Sequence, residues 1–595
     1  MTVLYEPPLR DIQFALEQLA DLPALSKLPV FAHADPATVA ALIGEFGRFV
    51  AEVLAPLDRS GDLEGAHHDP DSGAVTTPAG WRDAYTRFVD AGWGSVPFPA
   101  HYGGGEFPWL VAIALQELLT SANMSFALCP MLTQGAIDLL VHHGSPSQQG
   151  RFVPKMVAGE WTGTMNLTEP QAGSDVGALS TKAVPATDGT WRISGQKIFI
   201  TYGEHDLTDN IIHMVLARVP DAPRGTAGIS CFIVPKYLPG PDGTPGERNG
   251  VRCLSIEHKL GIHASPTCVL EFDNAVGELI GEANSGMRYM FTMMNNARLS
   301  VGLQGLAVGE AAYQQAWRYA TERTQGRSPG TPDPTGTIAD HPDIRRMLLT
   351  MRAYVEAMRG LCYCNAQAID LARHSENEQD RQANQELADL FTPITKGWCT
   401  DIGSEVASLA LQVHGGMGYI EETGIAQHYR DVRISAVYEG TNGIQAIDLV
   451  GRKLGLRGGA AIDGLLRRIE GLDTELADAG TPLTTIRATL ADAVAAVRDS
   501  TGWLLEHAAD ARLDVLAAAS PYLRQWGTVI GGWVLARQAL AALPGSADDA
   551  HLAAKVTTAR FYCEQILPQA RGLHGAITSG AAELFAVRID ALASR

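Results

Sequence analysis

The sequence predicts a mainly α-helical protein with a central β domain, and three observations support this fold class. Helical periodicity dominates residues 36–159, whereas residues 160–275 contain short strand-like runs separated by loops rich in Gly, Pro and Asp. Long amphipathic helical patterns return from about residue 286. The chain has 595 residues, and since one hydrophobic core stops growing near about 250–300 residues, we expect several domains.

The order of these patterns divides the chain into five predicted segments. Residues 1–35 are an N-terminal extension, 36–159 a helical domain, 160–275 a β-barrel-like middle domain, 276–455 a helical bundle and 456–595 an extra helical domain. The last segment is rich in Ala and follows a Gly-rich run, which indicates a boundary there.

The strand candidates of the middle domain are short and closely spaced. Residues 191–193 and 197–200 flank a predicted turn at Ser194-Gly195-Gln196. Residues 211–217, 229–234 and 268–272 are further candidates. This spacing predicts a small antiparallel sheet or barrel.

The helical segments show patterns typical of packed cores. Apolar residues between Ile344 and Met358 repeat at spacings of three and four, which we interpret as a core stripe rather than a Met-rich binding groove. Apolar residues from Leu483 to Val497 share one face of a helix that opens at Thr481-Pro482. The glycines at 302, 305 and 309 have the wrong spacing for a dinucleotide fingerprint, so we interpret them as small residues that permit close helix packing.

The composition and charge exclude several classes of protein. The formal charge is −20 and the hydrophobic fraction is 46%. A surface this acidic repels phosphate groups, so we expect no nucleic-acid partner. No uncharged apolar run approaches the ~18 residues of a membrane span, and the N-terminus lacks a signal-peptide pattern. Eight cysteines are scattered without a C-x-x-C pair, which predicts no metal site and a reduced, cytoplasmic environment.

Four segments carry residues suited to binding a ligand. Residues 165–175 are a strand end that opens into a loop of small residues and hydroxyls, which suits an anionic or heteroaromatic ligand. Residues 197–201 place an aromatic ring and a hydroxyl on one side of a strand. Residues 412–419 are a helix end that opens into glycines. Residues 437–445 place one carboxylate, that of Glu439, in an apolar-flanked turn before a helix.

Together and in this order, the four segments resemble the acyl-CoA dehydrogenase family of flavoproteins. The family pattern is L-T-E-P-x-A-G-S-D, then K-x-[WF]-I-T, then Q-x-x-G-G-x-G-[YF], then Y-E-G-T, and this chain matches it over about residues 36–455. The resemblance implies the family fold, with an N-terminal helical domain, a middle β-barrel-like domain and a C-terminal helical bundle. The extra domain is similar to that of a subgroup that includes 3-(methylthio)propionyl-CoA dehydrogenases.

The resemblance implies FAD-dependent oxidation of an acyl-CoA thioester to the trans-2-enoyl-CoA. Glu439 matches the base that takes the α-proton, while the β-hydride passes to flavin N5 and electrons pass on to an electron-transferring flavoprotein. Burial between the flavin and the acyl chain would raise the pKa of this base. The N–H of Glu439 would help to stabilise enolate-like charge on the thioester oxygen.

The resemblance also assigns binding residues by matched position. Phe199 would stack on the flavin ring, and Arg323 of a neighbouring subunit would bind the pyrophosphate through its guanidinium fork. Because FAD is shared between subunits in the family, we expect a homodimer. The expected FAD contacts are Met165, Leu167, Thr168, Ser174, Phe199, Thr201, Arg323, Gln325, Gln412, Gly416 and Thr441, and the expected substrate contacts are Ser174, Asn295, Arg298 and Gly440.

Four features depart from the family pattern. Phe199 replaces the commoner Trp, and Asn295 stands where an acidic residue is frequent. Residues 323–326 lack the aromatic residue that usually precedes the Gly, and Gly443 replaces a residue that often reaches the cofactor. These last two departures predict a locally altered FAD pocket in the dimer.

Alternative functions stay open on the sequence alone. An acyl-CoA oxidase would use the same half-reaction and pass electrons to oxygen. A DNA-associated flavoprotein of the same family also has an added C-terminal domain, although the charge of −20 argues against it. A non-catalytic FAD-bound scaffold is disfavoured by the retained Glu439. The sequence leaves the length of the acyl chain open, from methylthiopropionyl to longer straight chains.

Overall fold

The computed structural model describes residues 5–240, 242–327 and 336–593. These residues confirm a mainly helical protein with a central β domain. They form two compact units. The first, the sheet unit, contains Gly44–Phe107 and Leu118–Ser300, and the second, the bundle unit, contains Pro8–Ile43, Pro108–Glu117 and the described part of Val301–Arg595.

The helices that precede the sheet begin with short segments and end with two long apolar ones. π-Helical turns at Ala15–Leu19 and Val50–Leu54 continue two of them. These helices are α1 (Leu9–Phe14), α2 (Leu22–Leu25), α3 (Pro36–Phe49), α4 (Ala55–Glu64), α5 (Trp81–Asp90), α6 (Trp109–Ala122), α7 (Met124–His143) and α8 (Pro146–Val157).

The strands form one main sheet and two small hairpins. The strands are β1 (His67–His68), β2 (Val75–Thr76), β3 (Trp161–Asn166), β4 (Lys182–Pro185), β5 (Trp191–Thr201), β6 (Asn210–Ala217), β7 (Ser230–Pro235), β8 (Tyr237–Pro239), β9 (Pro245–Arg248), β10 (Val251–Ile256) and β11 (Thr267–Leu279). The main sheet has the order β3-β6-β7-β11-β5-β4, and β10 pairs with β11. Pairs β1–β2 and β8–β9 are the hairpins.

Strand β6, next to the edge strand β3, shows why this sheet has a core on each face. Successive side chains of a strand point to opposite faces. Accordingly, Ile212, Met214 and Leu216 pack in a cluster with α7 and α8, whereas Val215 and Ala217 pack in a second cluster with β5, β10 and β11. Every residue of β6 is buried, as expected for a strand that is covered on both faces.

Two predictions about this sheet are wrong. Residues 194–196 are not a turn, because β5 runs unbroken from Trp191 to Thr201 and Gly195 is paired with Phe272. The sheet is mixed rather than antiparallel, because β3 pairs with β6 in the parallel direction. The Ser-Gly-Gln sequence suggested a hairpin turn, but pairing with the long strand β11 keeps this segment extended.

The helices that follow the sheet are long in the bundle and shorter at the C-terminal end. The bundle helices are α9 (Gly286–Glu322), α10 (Pro342–His374), α11 (Glu378–Val413), α12 (Ile425–Val432) and α13 (Asn442–Asp448). The later helices are α14 (Ala460–Glu470), α15 (Leu472–Asp478), α16 (Thr484–His507), α17 (Arg512–Ala542), α18 (Ala550–Gln565), α19 (Gln569–Gly572), α20 (His574–Thr578) and α21 (Ala582–Ala586).

The helical patterns in the sequence are confirmed as packing surfaces. The apolar stripe of α10 is buried from Met347 to Met358, and the apolar face from Leu483 to Val497 is buried as well. A Cβ atom at Gly305 would lie 2.1 Å from the carbonyl oxygen of Cys399. The glycines of α9 therefore permit close contact with α11.

The predicted N-terminal extension packs within the bundle unit. Arg10 forms an ion pair with Asp549 at 2.7 Å, and Asp11 forms one with Lys555 at 2.5 Å. Lys555 also contacts Glu356 of α10 at 3.1 Å. The contacts of Arg10 and Asp11 join residues more than 500 positions apart, which local sequence patterns do not predict.

Helix α7 meets a length and composition test for crossing a membrane. Its apolar window is 89% buried inside the protein, as in the core helix of a globular fold.

All eight cysteines are free and buried.

Candidate active site

The loop after β3 is fixed by a buried ion pair. Lys197 of β5 lies 2.8 Å from Glu169, and their side chains are 0% and 2% exposed. Lys197 Nζ also donates to the carbonyl oxygen of Leu167 at 3.0 Å. The N–H of Ile198 donates to the carbonyl oxygen of Thr168 at 3.0 Å. These bonds hold the L-T-E-P loop against the strand that carries K-I-F-I-T.

Further hydrogen bonds satisfy the carboxylate of Glu169. It accepts from the N–H of Ser180 at 2.6 Å, the hydroxyl of Ser180 at 2.8 Å and the N–H of Thr181 at 3.1 Å. Burial alone would raise the pKa of Glu169, but the charge of Lys197 and these bonds lower it to about 2. Burial lowers the pKa of Lys197 to about 8, and Glu169 opposes this shift.

Phe199 presents an aromatic ring at the end of the same strand. Its side chain is 58% exposed, and its backbone is left-handed, with φ +60°. Left-handed backbone is costly for a bulky residue and recurs at functional sites. Tyr202, also left-handed at φ +51°, anchors the chain just beyond, because its hydroxyl donates to the carbonyl oxygen of Ser125 at 2.8 Å. The strained backbone thus leaves the aromatic ring of Phe199 exposed to solvent.

The other predicted residues of the sheet unit differ in exposure. Ser174 and Asn295 are exposed, whereas Arg298 is buried. The guanidinium of Arg298 lies 3.5 Å from the side-chain oxygen of Asn295 and 5.7 Å from the ring centre of Phe291. Met165, Leu167, Thr168 and Thr201 are half-buried.

Glu439 lies in a left-handed turn in the bundle unit. Its φ is +55° and that of Gly440 is +80°. The buried amide of Gln445 donates to the carbonyl oxygens of both residues, at 3.2 and 3.3 Å. Glu439 is half-buried. Burial and the nearby charge of Glu439 raise the pKa of Tyr438, whose hydroxyl donates to the side chain of Gln304.

The turn leads directly into helix α13. The side chain of Thr441 caps this helix by accepting from the N–H of Ile444 at 3.3 Å. Asn442 joins the turn to α11, since its amide donates to the carbonyl oxygen of Gly397 at 3.1 Å and accepts from Lys396 at 2.9 Å. The residues that follow the turn are therefore attached to both α13 and α11.

The residues predicted for the pyrophosphate of FAD, Arg323 and Gln325, follow the end of α9, and those predicted for its adenine half, Gln412 and Gly416, lie at the end of α11. Tyr319 of α9 stacks on His414 of α11, with ring centres 4.3 Å apart. His341 bonds to the carbonyl oxygen of Gln325 at 2.8 Å. A Cβ atom at Gly416 would meet nothing within 4 Å. Arg323, Gln325, Gln412 and Gly416 are all exposed.

Comparison with known proteins identifies the family. The chain matches "Acyl-CoA dehydrogenase, N-terminal domain" over residues 39–160, "middle domain" over 164–275 and "C-terminal domain" over 284–454. It matches "Acetyl-CoA dehydrogenase C-terminal like" over 465–588. This chain belongs to the acyl-CoA dehydrogenase family. The predicted family, fold class and FAD-dependent oxidoreductase class are confirmed.

One curated relative and two solved structures illustrate the similarity. The chain is 47% identical to "3-methylmercaptopropionyl-CoA dehydrogenase" of Ruegeria pomeroyi over 96% of this chain and 98% of that protein. Its fold resembles that of ACDH-11 from Caenorhabditis elegans in complex with C11-CoA, with TM-score 0.79, 21% identity and coverage of 95% and 92%. It also resembles acyl-CoA dehydrogenase complexed with FAD from Bacillus anthracis, with TM-score 0.72, 20% identity and coverage of 91% and 88%. These comparisons do not favour the oxidase or the DNA-associated alternative.

The residues present suit FAD. Phe199 offers an exposed aromatic face for a flavin ring. Arg323 offers an exposed guanidinium for a pyrophosphate, and Gly416 leaves room for a ligand close to the backbone. Within residues 5–240, 242–327 and 336–593, no group of three or more His, Cys, Asp and Glu side chains is arranged to hold a metal ion.

The sequence did not predict two sets of side-chain contacts at the site, although the residues involved lie inside the motifs. Glu169 and Lys197 belong to two separate motifs, and nothing in their spacing of 28 residues indicates that they pair. Asn442 follows Thr441 directly, but its partners on α11 are more than 40 residues away. The one signal in the sequence for the first pair is that the two motifs carry opposite charges, since charged residues are fully buried almost only when they are paired.

Proposed function

We propose that Glu439 is the catalytic base of an acyl-CoA dehydrogenase and removes the α-proton of the thioester. The observation that carries this proposal is the left-handed turn at Glu439 and Gly440, which presents a half-buried carboxylate beside the start of α13. Such strain persists where surrounding contacts over-determine a conformation, and it clusters at functional sites. The matched Y-E-G-T motif supports the same assignment.

The remaining residues bind and orient. When bound, FAD supplies the acceptor for the β-hydride at its N5 atom. Phe199 would support the ring, the Leu167–Thr168 backbone and Thr201 would hydrogen-bond its polar edge, and Thr441 would contact it as well. The N–H of Glu439 would donate to the thioester oxygen as charge develops there. The proposed FAD site is completed by Met165, Ser174, Arg323, Gln325, Gln412 and Gly416. The proposed substrate contacts are Ser174, Asn295, Arg298 and Gly440.

The partners and setting are also proposals. Met417 and Tyr419, which are 46% and 93% exposed, place apolar surface beside the glycine turn, and a second copy of this chain would cover it. We therefore propose a homodimer in which Arg323 and Gln412 serve the FAD of the partner subunit. We further propose an electron-transferring flavoprotein as acceptor, a cytoplasmic location and residues 456–595 as a distinct domain.

The first substrate to test is 3-methylmercaptopropionyl-CoA, because the relative that carries this name is 47% identical over nearly the whole chain. A panel of straight-chain acyl-CoAs of increasing length would be measured beside it. Anaerobic loss of flavin absorbance reports the half-reaction without any acceptor. Faster bleaching by longer chains would contradict a short thioether substrate.

Replacement of Glu439 tests the proposed base. Glu439→Gln should retain FAD and bind acyl-CoA, yet lose flavin reduction by about 10³-fold or more, because the amide cannot accept the α-proton. Glu422→Gln is the matched control, since Glu422 is an exposed carboxylate of the same unit. Flavin reduction at the wild-type rate in Glu439→Gln would show that another group takes the proton.

A further inference from the structure

The turn that carries Glu439 needs an anchor. Two consecutive residues, Glu439 and Gly440, are left-handed, with φ +55° and +80°. A glutamate does not hold such a conformation by its own preference, so neighbouring contacts must fix it. The side chain of Gln445 donates to the carbonyl oxygens of both residues. Asn442 is the second side chain that could hold the turn in place.

Asn442 is held by four groups that lie within two adjacent turns of α11. Its oxygen accepts from Lys396 Nζ at 2.9 Å, and Lys396 is buried. Its nitrogen is within hydrogen-bond distance of the carbonyl oxygen of Gly397 at 3.1 Å, the hydroxyl of Thr400 at 2.9 Å and the carboxylate of Asp401 at 2.7 Å. Both ends of the carboxamide are used, which fixes its orientation.

This donor and acceptor pattern requires a carboxamide. An aspartate at 442 could accept from Lys396 but could not donate to Gly397 or Asp401, and it would add a second negative charge beside Asp401. An alanine would leave buried polar groups of α11 without this partner. Burial already raises the pKa of Asp401, and the bond from Asn442 opposes that shift.

Helix α17 packs against the same part of α11. A Cβ atom at Gly397 would lie 2.9 Å from the side chain of Leu523, and one at Gly527 would lie 2.1 Å from Trp398. Arg524 forms two hydrogen bonds with Glu405, at 2.6 and 3.1 Å. Gly397 therefore contacts both Asn442 and the extra helical segment.

We propose that Asn442 is a positioning residue, which couples the turn of Glu439 to α11 at the place where α17 packs against that helix. The proposal deepens the proposed function and rests on it, because Glu439 must be the base for its position to matter. It also gives the C-terminal helices a role in catalysis, through support of the turn rather than contact with substrate.

Variants of the full-length, FAD-loaded protein test the proposal. Asn442→Ala should lower kcat by about tenfold or more with little change in KM, because a misplaced base slows the chemical step while thioester binding persists. Amide hydrogen exchange of the peptide 437–444 should become faster, while peptides of the sheet unit stay unchanged. Asn442→Asp should show the same loss, and Leu523→Ala a smaller one in the same direction.

Asn377→Ala is the matched control. Asn377 is an exposed residue that caps the other end of α11 by accepting from the N–H of Gln379 at 2.8 Å. Its loss should leave kcat and exchange of the peptide 437–444 unchanged. The proposal is overturned if Asn442→Ala keeps the wild-type kcat and exchange, if exchange rises throughout the chain, or if Asn377→Ala lowers kcat equally.

Failure of this proposal is separable from failure of the proposed function. If Glu439→Gln is inactive while Asn442→Ala is normal in rate and exchange, only the positioning role is wrong. If Glu439→Gln reduces its flavin at the wild-type rate, the assignment of the base is wrong, and the claim that Asn442 positions a base falls with it.

Discussion

The protein holds two strained residues in place by different means. Phe199 and Glu439 are both left-handed residues at the ends of motifs. On the Phe199 side the anchor is a buried ion pair, Glu169 with Lys197. On the Glu439 side it is the neutral carboxamide of Asn442. The first anchor is a direct pair of opposite charges, whereas the second is a neutral carboxamide that bonds to the charged side chains of Lys396 and Asp401.

The difference matters because buried charges are costly to separate. Removal of one partner of a buried ion pair costs about 3–5 kcal/mol, whereas an unmade neutral hydrogen bond costs about 1–3 kcal/mol. We infer that the loop at Leu167 and Thr168 is rigid, as suits a platform for a cofactor. The turn at Glu439 is held by weaker bonds, so single changes should alter its position without unfolding the protein.

Lys197→Met should give the largest effect on stability. It leaves the carboxylate of Glu169 buried without its cation, so we expect a loss of about 3–5 kcal/mol in the free energy of unfolding and a lower FAD content. Denaturant unfolding and flavin absorbance measure the two effects.

A second buried pair provides the control for Lys197→Met. Lys236 and Glu204 form a buried ion pair in the same unit, outside the motifs. Lys236→Met should reduce stability but retain FAD. Equal loss of FAD in both variants would show that any weakened sheet releases the cofactor, and the comparison of the two anchors would then fail.

Acid should weaken the ion pair between Glu169 and Lys197. The pKa of Glu169 is lowered from its ordinary 4.5 to about 2, so its stabilising contribution is complete above pH 4.5 and is lost as the pH falls through 2. A shift of this size corresponds to about 3 kcal/mol. Unfolding free energies of wild type and Glu169→Gln should therefore converge between pH 4.5 and 2. Parallel curves over that range would show that Glu169 is not the titrating group.

Phe199→Gly should give the smallest and most diagnostic change. Glycine adopts φ +60° without strain, and the 58% exposed ring contributes little burial, so we expect unchanged or slightly higher stability, by up to about 1 kcal/mol. FAD should bind more weakly because the stacking ring is absent. Reduced stability of the FAD-free variant would indicate that Phe199 is a structural residue rather than a strained binding residue.

Much of the fold was predictable because its signals are local. Helical periodicity placed the core stripe ending at Met358, and a short strand-like run between loops placed strand β6. The turn at Ser194-Gly195-Gln196 was wrong because pairing with β11, about 75 residues away, overrides local preference. Contacts between Asp11 and Lys555 have no local signal at all.

For the site, the motifs located the candidate residues but not what holds them. The positions of Glu439 and Phe199 follow from matched patterns, whereas their left-handed backbone does not, since neither residue type favours it. The anchors were equally hidden, because each joins side chains from separate elements. Residue identity can be read along the chain, but pairing is a property of the folded protein.

The most direct test of the central claim is exchange of the α-hydrogens of an acyl-CoA whose β-carbon is replaced by sulfur. Such a thioester can lose an α-proton but cannot donate a β-hydride, so NMR in deuterated water reports the base alone. The wild-type protein should exchange these hydrogens rapidly, and Glu439→Gln with full FAD content should not exchange them. Equal exchange by the two proteins would contradict the assignment of Glu439 as the base.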